Sequence, residues 1–589
     1  MLNGIKKHVV FNFVDNFLVA AQCYENRTAI IFEDQSISYR ELHTQVLLCA
    51  QQFKSMSIEE GAAILLCIPR SISLIVAMIG CQYCGIPYIP IDFRIPAQRL
   101  LMMTDALNGG FVVYDPNLPL HPGLALMPSF VPKLVFNTNT NWDRIIPSQR
   151  IGSETYRIFT SGSTGEPKAV KIKINSSNNL LDFFNDLLID DSNHKVLSGT
   201  SPGFDIFFLE YALPLSGGNI LILASERQAS SPQDLARLLM DYSPTIYQST
   251  PSSLKCLLPY LSSAYHFKNL LVGGEMLGQQ LSAILYARAD KVYNVYGPTE
   301  TTVWSSIQSI GCPGEQKIGS PIQNTVIDIV DDEGLSVAMG TIGRIIIGGI
   351  GLALGYFGNT HLNTAKFIYN ESDSKWWFHT GDMGYIDKDG KLNYVARDEE
   401  FIKINGHRVD PVEIVDALES LPFIEEAAVI PLIDHNEIDS LVAFIKLSTE
   451  NKFTDRTKES ITYLSEILPR YMVPRFIRQV DSFTRTPNGK LDQKALRNLM
   501  DNDSFTGKTF QTAIQNEIAA LLSKYININH INEYDNFFSC GLTSMHAVSF
   551  HLELLSQWPQ VELFQIFENP TLISLNNILE PMASLAYNE

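Results

Sequence analysis

Basic residues are scarce against acidic ones: 44 Lys and Arg stand against 63 Asp and Glu, a net charge of −19. Such an excess repels a phosphate backbone unless a local basic patch intervenes, so nucleic acid is not an expected partner. Cysteine is sparse too. The eight are scattered, and the one close pair, Cys81 and Cys84, has no second CxxC to complete a zinc site, which leaves buried free thiols as the reading. Long uninterrupted apolar runs are missing. The uncharged stretch from Ser71 to Asp92 is broken by Gly80, Gly85, Pro87 and Pro90 and reads as a buried helix leading into a strand, not as a membrane span. Near the N-terminus Asn12, Asp15 and Asn16 interrupt any signal-peptide core, so a cytoplasmic location without a membrane partner is expected. The chain also lacks a repeat of fixed period, which excludes solenoids and propellers.

What is present is a folded, loop-punctuated composition: 45% hydrophobic residues with 29 Pro and 36 Gly in 589 residues, enough for about three to five domains. Through residue 395, β-rich runs such as AAILLCIP (62–69), NILILA (219–224) and RIIIGG (344–349) alternate with helical stretches such as QDLARLLMDY (233–242), which favours α/β layers. From about 399 an amphipathic PVEIVDALESL (411–421) precedes two strand candidates, EAAVIPLI (426–433) and SLVAFIKL (440–447), as in a small α+β unit. The polar MDNDSFTGK (500–508) reads as a linker. Beyond it Ile514, Ile518, Leu521, Leu522 and Ile526 recur at helical spacing, and Met545, Val548, Leu552 and Leu555 suggest a second apolar stripe in a small helical bundle.

Residues 159–172 read FTSGSTGEPKAVKI. Small and hydroxylated residues let a backbone approach a ligand closely, and their N–H and O–H groups can all aim at one anion, naturally a polyphosphate. A Walker P-loop is excluded because Lys168 lies between Pro167 and Ala169. By itself the run is equally a flexible polar loop. Further clusters follow in order: NVYGPTETTVW (294–304), FHTGDMGYI (378–386), ARDEEFIKINGHRVDPVEI (396–414), LPRYMVP (468–474) and TPNGKLDQKAL (486–496). In this order and spacing, over about residues 10–497, they resemble the adenylate-forming enzymes, most closely the adenylation domains of nonribosomal peptide synthetases. The segment DNFFSCGLTSMHAV (535–548) is similar to the phosphopantetheine site of a peptidyl carrier domain.

The resemblance implies a large α/β N-terminal adenylation core (1–397), a small α+β mobile C-terminal subdomain (398–499), a linker (500–510) and an all-α four-helix-bundle carrier domain (511–589). It implies that an amino-acid carboxylate attacks the α-phosphate of ATP, with Mg2+, and that a thiol then takes the acyl group; this needs charge screening and alignment more than covalent help. Thr160, Ser161, Gly162, Ser163, Thr164, Gly165 and Lys168 would wrap the leaving pyrophosphate. Glu300, after Thr299, would be the Mg2+ carboxylate, although alone it reads as a helix-start acid. Tyr296 would face adenine, Asn294 its edge, and Asp382 with Arg397 the ribose. Lys490 would join the substrate carboxylate to the phosphate oxygens, delivered by closure about a hinge at Glu399, where the family usually has aspartate and where Ala396 replaces a common glycine.

For the substrate, Asp205 corresponds to the aspartate that meets an α-amino group. The pocket positions Asp205, Ile206, Leu209, Gln248, Leu271, Gly273, Val295, Val303 and Trp304, with Lys490, resemble the family's glycine set; alanine or another small amino acid is the competitor. Ser544 would carry 4′-phosphopantetheine at a helix N-terminus, although Leu542 stands where a second glycine is common. A phosphopantetheinyl transferase, a downstream condensation or other carrier-recognising enzyme in trans, and a small MbtH-like activator are the partners that this resemblance admits. Two other readings stay open: an acyl-CoA-type ligase and a silent carrier scaffold.

Overall fold

Short runs of Ile, Val and Leu bounded by Gly and Pro supply the strands, as a sheet buried on both faces requires. The computed structural model describes the chain except residues 9–11, 57, 60, 106–110, 127–152, 161–166, 191–192, 372, 398–401, 405–406, 435–436, 449–455, 484–495, 497–509, 527–530, 539, 541, 543 and 587–589. Two compact units form, one mainly within residues 1–401 and one mainly within residues 402–589.

In the first unit a six-stranded sheet contains β1 (Glu154–Thr160) and β2 (Lys168–Lys173), an antiparallel pair in which Thr160 faces Lys168 at the end nearest their connection. A nine-stranded sheet contains β3 (Ile246–Ser249), β4 (Phe267–Gly273) and β5 (Ala289–Tyr296), adjacent and parallel. Between the two sheets lies one large core, which joins Ile64, Tyr88, Tyr156 and Val170 of the first to Val196, Leu271 and Val295 of the second and to Trp304 in the loop after β5. Helix α1 (Ile206–Ser216) is buried along its whole length within this core, as an all-round apolar helix must be, and Glu210 is its one charged residue. The opposite face of the nine-stranded sheet packs Leu270, Val272 and Val292 into a separate core. A third sheet includes β6 (Lys375–Ile386) and β7 (Leu392–Arg397), paired antiparallel with Asp382 opposite Arg397.

The second unit includes a helix at Pro411–Glu419, whose Asp410 accepts from the Val412 N–H as its cap. Its sheet orders Ile424–Asp434, Glu437–Leu447 and Phe476–Gln479, the first pair antiparallel and the second parallel. Farther along are helices at Ala513–Leu522, α2 (Ser544–Leu554), Leu563–Glu568 and Leu572–Ala586. The expected stripe along α2 needs correction. Ala547, Phe550, His551 and Leu554 join Val548 in the interior, whereas Leu552 is exposed, because the i, i+3, i+4, i+7 set starting at residue 547 faces inward.

The Ser71–Asp92 stretch forms a buried helix, Ile72–Cys84, and a strand, Tyr88–Pro90. Among the described residues no helix is long and apolar enough to cross a membrane. All eight cysteines are free, but the expectation of burial fails for two of them. Cys23 ends the first helix at the surface and Cys312 lies beyond a strand end, so both are exposed. Inside, burial pushes the Cys67 thiol up to about 12.

Leu270 is fully buried on β4, on the face away from α1. Leu270→Ala should cost about 2–5 kcal/mol in a urea titration, and a cost below about 1 kcal/mol would contradict this packing.

Candidate functional site

Parallel strands β3, β4 and β5 end at one edge, and in an open α/β sheet the crevice beyond the carboxyl ends is where ligands bind. Register sorts the side chains there. Gln248 pairs with Leu271, Leu271 with Tyr293, and Gly273 with Val295; since side chains alternate, Gln248, Leu271, Gly273 and Val295 share the face that looks toward α1.

After β5 the chain passes Gly297 and Pro298, makes a single 3-10 turn over Thr299–Thr301, and then holds Thr302 at φ 65° and Val303 at φ 64°. Left-handed backbone costs an L residue about 1–2 kcal/mol, and two β-branched residues in succession mark a constrained site. Thr302 Oγ1 donates to the Gly351 carbonyl at 2.7 Å, and the Trp304 N–H donates to the Thr302 carbonyl at 2.8 Å. This double bend turns Trp304 back over the strand ends. Its indole is 1% exposed, and its Nε1 donates to Gln248 Oε1 at 2.8 Å. Gln248 Nε2 in turn donates to the Ile206 carbonyl at 3.1 Å and toward Glu210 Oε1 at 3.4 Å. A Cβ on Gly273 would lie 2.4 Å from the Val295 carbonyl and 2.7 Å from Trp304 Cη2, so only glycine admits the ring at this place.

Asp205 is buried at the N-cap position of α1, yet its carboxylate makes no capping hydrogen bond. Burial, and then the charge of Asp205, holds the Tyr156 phenol well above the usual tyrosine range. Ile206 and Leu209, the next pocket positions, are buried on α1.

A second group gathers around β5 and β6. Tyr296 Oη donates to Asp382 Oδ2 at 2.7 Å, and the Asp382 N–H donates to Thr380 Oγ1 at 3.0 Å. Both N–H groups of the Asn294 amide serve backbone carbonyls, that of Gln316 at 3.2 Å and that of Lys317 at 2.9 Å; Oδ1 is therefore the atom with which Asn294 can meet a ligand. Thr299 is half-buried in the turn that carries Glu300. Glu300 is 1% exposed and accepts from Tyr356 Oη at 2.6 Å. Tyr356 belongs to a two-residue strand paired with β2, opposite Val170, so one phenol ties the hairpin that carries Thr160 and Lys168 to the Glu300 carboxylate. Lys168 itself is buried, and Thr160 Oγ1 lies 3.5 Å from its carbonyl.

Several sequence candidates fall elsewhere. Ser161, Gly162, Ser163, Thr164, Gly165, Glu399 and Lys490 lie outside the described residues. For Arg397 and Ser544 only the backbone is described, the first ending β7 and the second opening α2. Sequence reasoning missed Tyr356 and Glu210. Tyr356 carries no local signal, whereas Glu210 is the one acid in the apolar run IFFLEYALPL that follows Asp205, and that was a usable one.

The AMP-binding enzyme family matches this chain over residues 17–357, and the AMP-binding enzyme C-terminal domain over residues 413–490. A dimodular nonribosomal peptide synthase from Bacillus subtilis (strain 168) is 29% identical over 586 residues, which is 97% of this chain and 24% of that protein. The chain spans about a quarter or less of the first curated relatives that it matches. Among solved structures it is similar to a holo four-domain nonribosomal peptide synthetase bound to AMP and glycine: TM-score 0.63, 26% identity, 98% of this chain and 43% of that one. It shares its fold with a holo NRPS protein containing adenylation and PCP domains, bound to a vinylsulfonamide inhibitor: TM-score 0.80, 20% identity, 97% of this chain and 98% of that one.

Gly273→Ala tests the close approach at the strand ends. The added methyl should displace the indole, cost about 1–3 kcal/mol and alter the tryptophan near-UV signal; an unchanged spectrum and melting temperature would show that the ring does not rest there.

Proposed function

This chain belongs to the AMP-binding enzyme family; from that premise we propose that it is an adenylate-forming ligase of the nonribosomal peptide synthetase type whose substrate is a small amino acid, glycine first, with alanine the nearest competitor. The observation that carries this reading is the buried Trp304 ring, set against Gly273 in a pocket whose entrance helix begins at the buried Asp205. An ammonium group would pair with Asp205, an interaction that an aryl or fatty acid cannot make. The ring rejects larger side chains by overlap. The glycine found with the 26% identical synthetase structure is in keeping with this reading.

In this account the amino-acid carboxylate attacks the α-phosphorus of ATP and pyrophosphate leaves, wrapped by the loop from Thr160 to Lys168. Asn294 Oδ1 accepts from the adenine amino group, the Tyr296 ring lies along the base, and Asp382 and Arg397 meet the ribose. Among the described residues no cluster of three or more His, Cys, Asp or Glu side chains could hold a metal ion. Glu300 is a single carboxylate aimed by Tyr356, the donor set that suits Mg2+ carried in with phosphates; bound there, the ion would neutralise phosphate charge. By the family resemblance, Lys490 would bridge the substrate carboxylate and phosphate, and Glu399 would serve as the hinge. Ser544, at the start of α2, would hold a phosphopantetheine arm, which would supply the thiol that accepts the acyl group in exchange for AMP. The residues from 511 onward act as the carrier, joined by the 500–510 linker, and pass the thioester to a carrier-recognising enzyme.

The test is ATP–pyrophosphate exchange over an amino-acid panel. Glycine should support it best, alanine at least about tenfold less well, and amino-free acids not at all. Trp304→Ala should admit larger amino acids; exchange driven by an aryl or fatty acid, or selectivity unchanged in the variant, would remove the reading. Intact-protein mass should show a pantetheine adduct that gains glycyl mass only with ATP, and Ser544→Ala should show neither adduct.

A further inference from the structure

The hydrogen bond that fixes Trp304 is the last link of a buried polar chain running behind the pocket. Gln248 has three partners of unlike chemistry. The Ile206 carbonyl and the Glu210 carboxylate can only accept, and the indole Nε1 can only donate. A single orientation of the amide satisfies all three, with Nε2 toward α1 and Oε1 toward the ring. Glu210 is 1% exposed, and its two oxygens collect four donors: Ser198 Oγ at 2.7 Å, the Thr200 N–H at 3.2 Å, Thr200 Oγ1, and Gln248 Nε2. Behind it the buried Arg70 guanidinium donates to Ser198 Oγ at 3.1 Å, to the Ser198 carbonyl at 2.7 Å, to the Ala224 carbonyl at 2.6 Å, and to the Thr200 carbonyl. Burial pushes the Glu210 carboxyl up, and the Thr200 and Ser198 hydroxyls and the Arg70 charge oppose that push. A carboxylate surrounded by donors is an acceptor that cannot reverse its polarity; an amide in its place could.

We propose that Glu210, anchored by Ser198, Thr200 and Arg70, is a positioning residue for amino-acid selectivity: it sets the direction of the Gln248 amide, which holds the Trp304 indole against Gly273. It touches no substrate. The inference rests on the reading of the pocket as one for small amino acids, and it adds that rejection of a single methyl depends on how firmly the ring is held, not on ring volume alone.

A double-mutant cycle of Glu210→Gln and Trp304→Phe tests it. The ratio of kcat/KM for glycine over alanine, in ATP–pyrophosphate exchange, should fall about tenfold in Glu210→Gln, but less than about twofold when the same change is made in the Trp304→Phe background, where no indole N–H remains. An equal fall in both backgrounds, or none in either, overturns the proposal. Ser198→Ala, a milder removal of one anchor, should shift the ratio the same way and serves if Glu210→Gln does not fold; no shift in it counts against the proposal. Solvent exchange of the Trp304 indole N–H, assigned as the 15N signal lost in Trp304→Phe, should be at least about tenfold faster in Glu210→Gln at unchanged melting temperature. That readout separates the two ideas. If neither glycine nor alanine supports exchange in the native enzyme, the pocket reading fails, while an unaltered indole exchange rate defeats the positioning role.

Discussion

A buried indole N–H needs an acceptor, and here the need is met by one side-chain amide at 2.8 Å. Much of the pocket follows from that pairing. The ring can lie against β4 only because residue 273 has no Cβ, and it reaches Gln248 only because Thr302 and Val303 take left-handed backbone in succession. Strain of this kind persists where surrounding contacts over-determine it, and the Thr302 hydroxyl on the Gly351 carbonyl is one such contact. The result is a floor set by an aromatic plane that the loop after β5 lays against sheet backbone.

The same sheet ends carry the other half of the site. Asn294 and Tyr296 lie on β5, one residue to either side of Val295, so the residues proposed for the nucleotide base and for the substrate side chain belong to alternate faces of one strand. Tyr356 links the β1–β2 hairpin to Glu300, and Tyr296 links β5 to Asp382 on the third sheet. Two phenols thus hold the acids of the site in place. In a chain of net charge −19, an anionic nucleotide must be met by local donors.

Legibility in the sequence followed the range of the interactions. Strands such as Gly343–Gly349 and the helix Pro232–Tyr242 were readable because their periodicity is local. Pocket positions spread over residues 205–304 converge in the structure, but only the motif resemblance, not spacing, linked them beforehand. Of the expected α2 stripe Val548 is inside but Leu552 is not, because several apolar residues in a short helix allow more than one stripe, and packing chooses Ala547, Phe550 and Leu554 beside Val548. The chain from Arg70 through Glu210 to Gln248 was invisible. Its members lie up to 178 residues apart, from Arg70 to Gln248, and meet only when α1 is laid on the sheet.

The most direct test of the account is a crystal structure with a non-hydrolysable glycyl-adenylate. It should show the ligand ammonium on the Asp205 carboxylate, its Cα facing an unmoved Trp304 ring, and the adenine amino group on Asn294 Oδ1. A ligand bound with its ammonium elsewhere, or a ring swung away from Gly273 to admit it, would contradict the account.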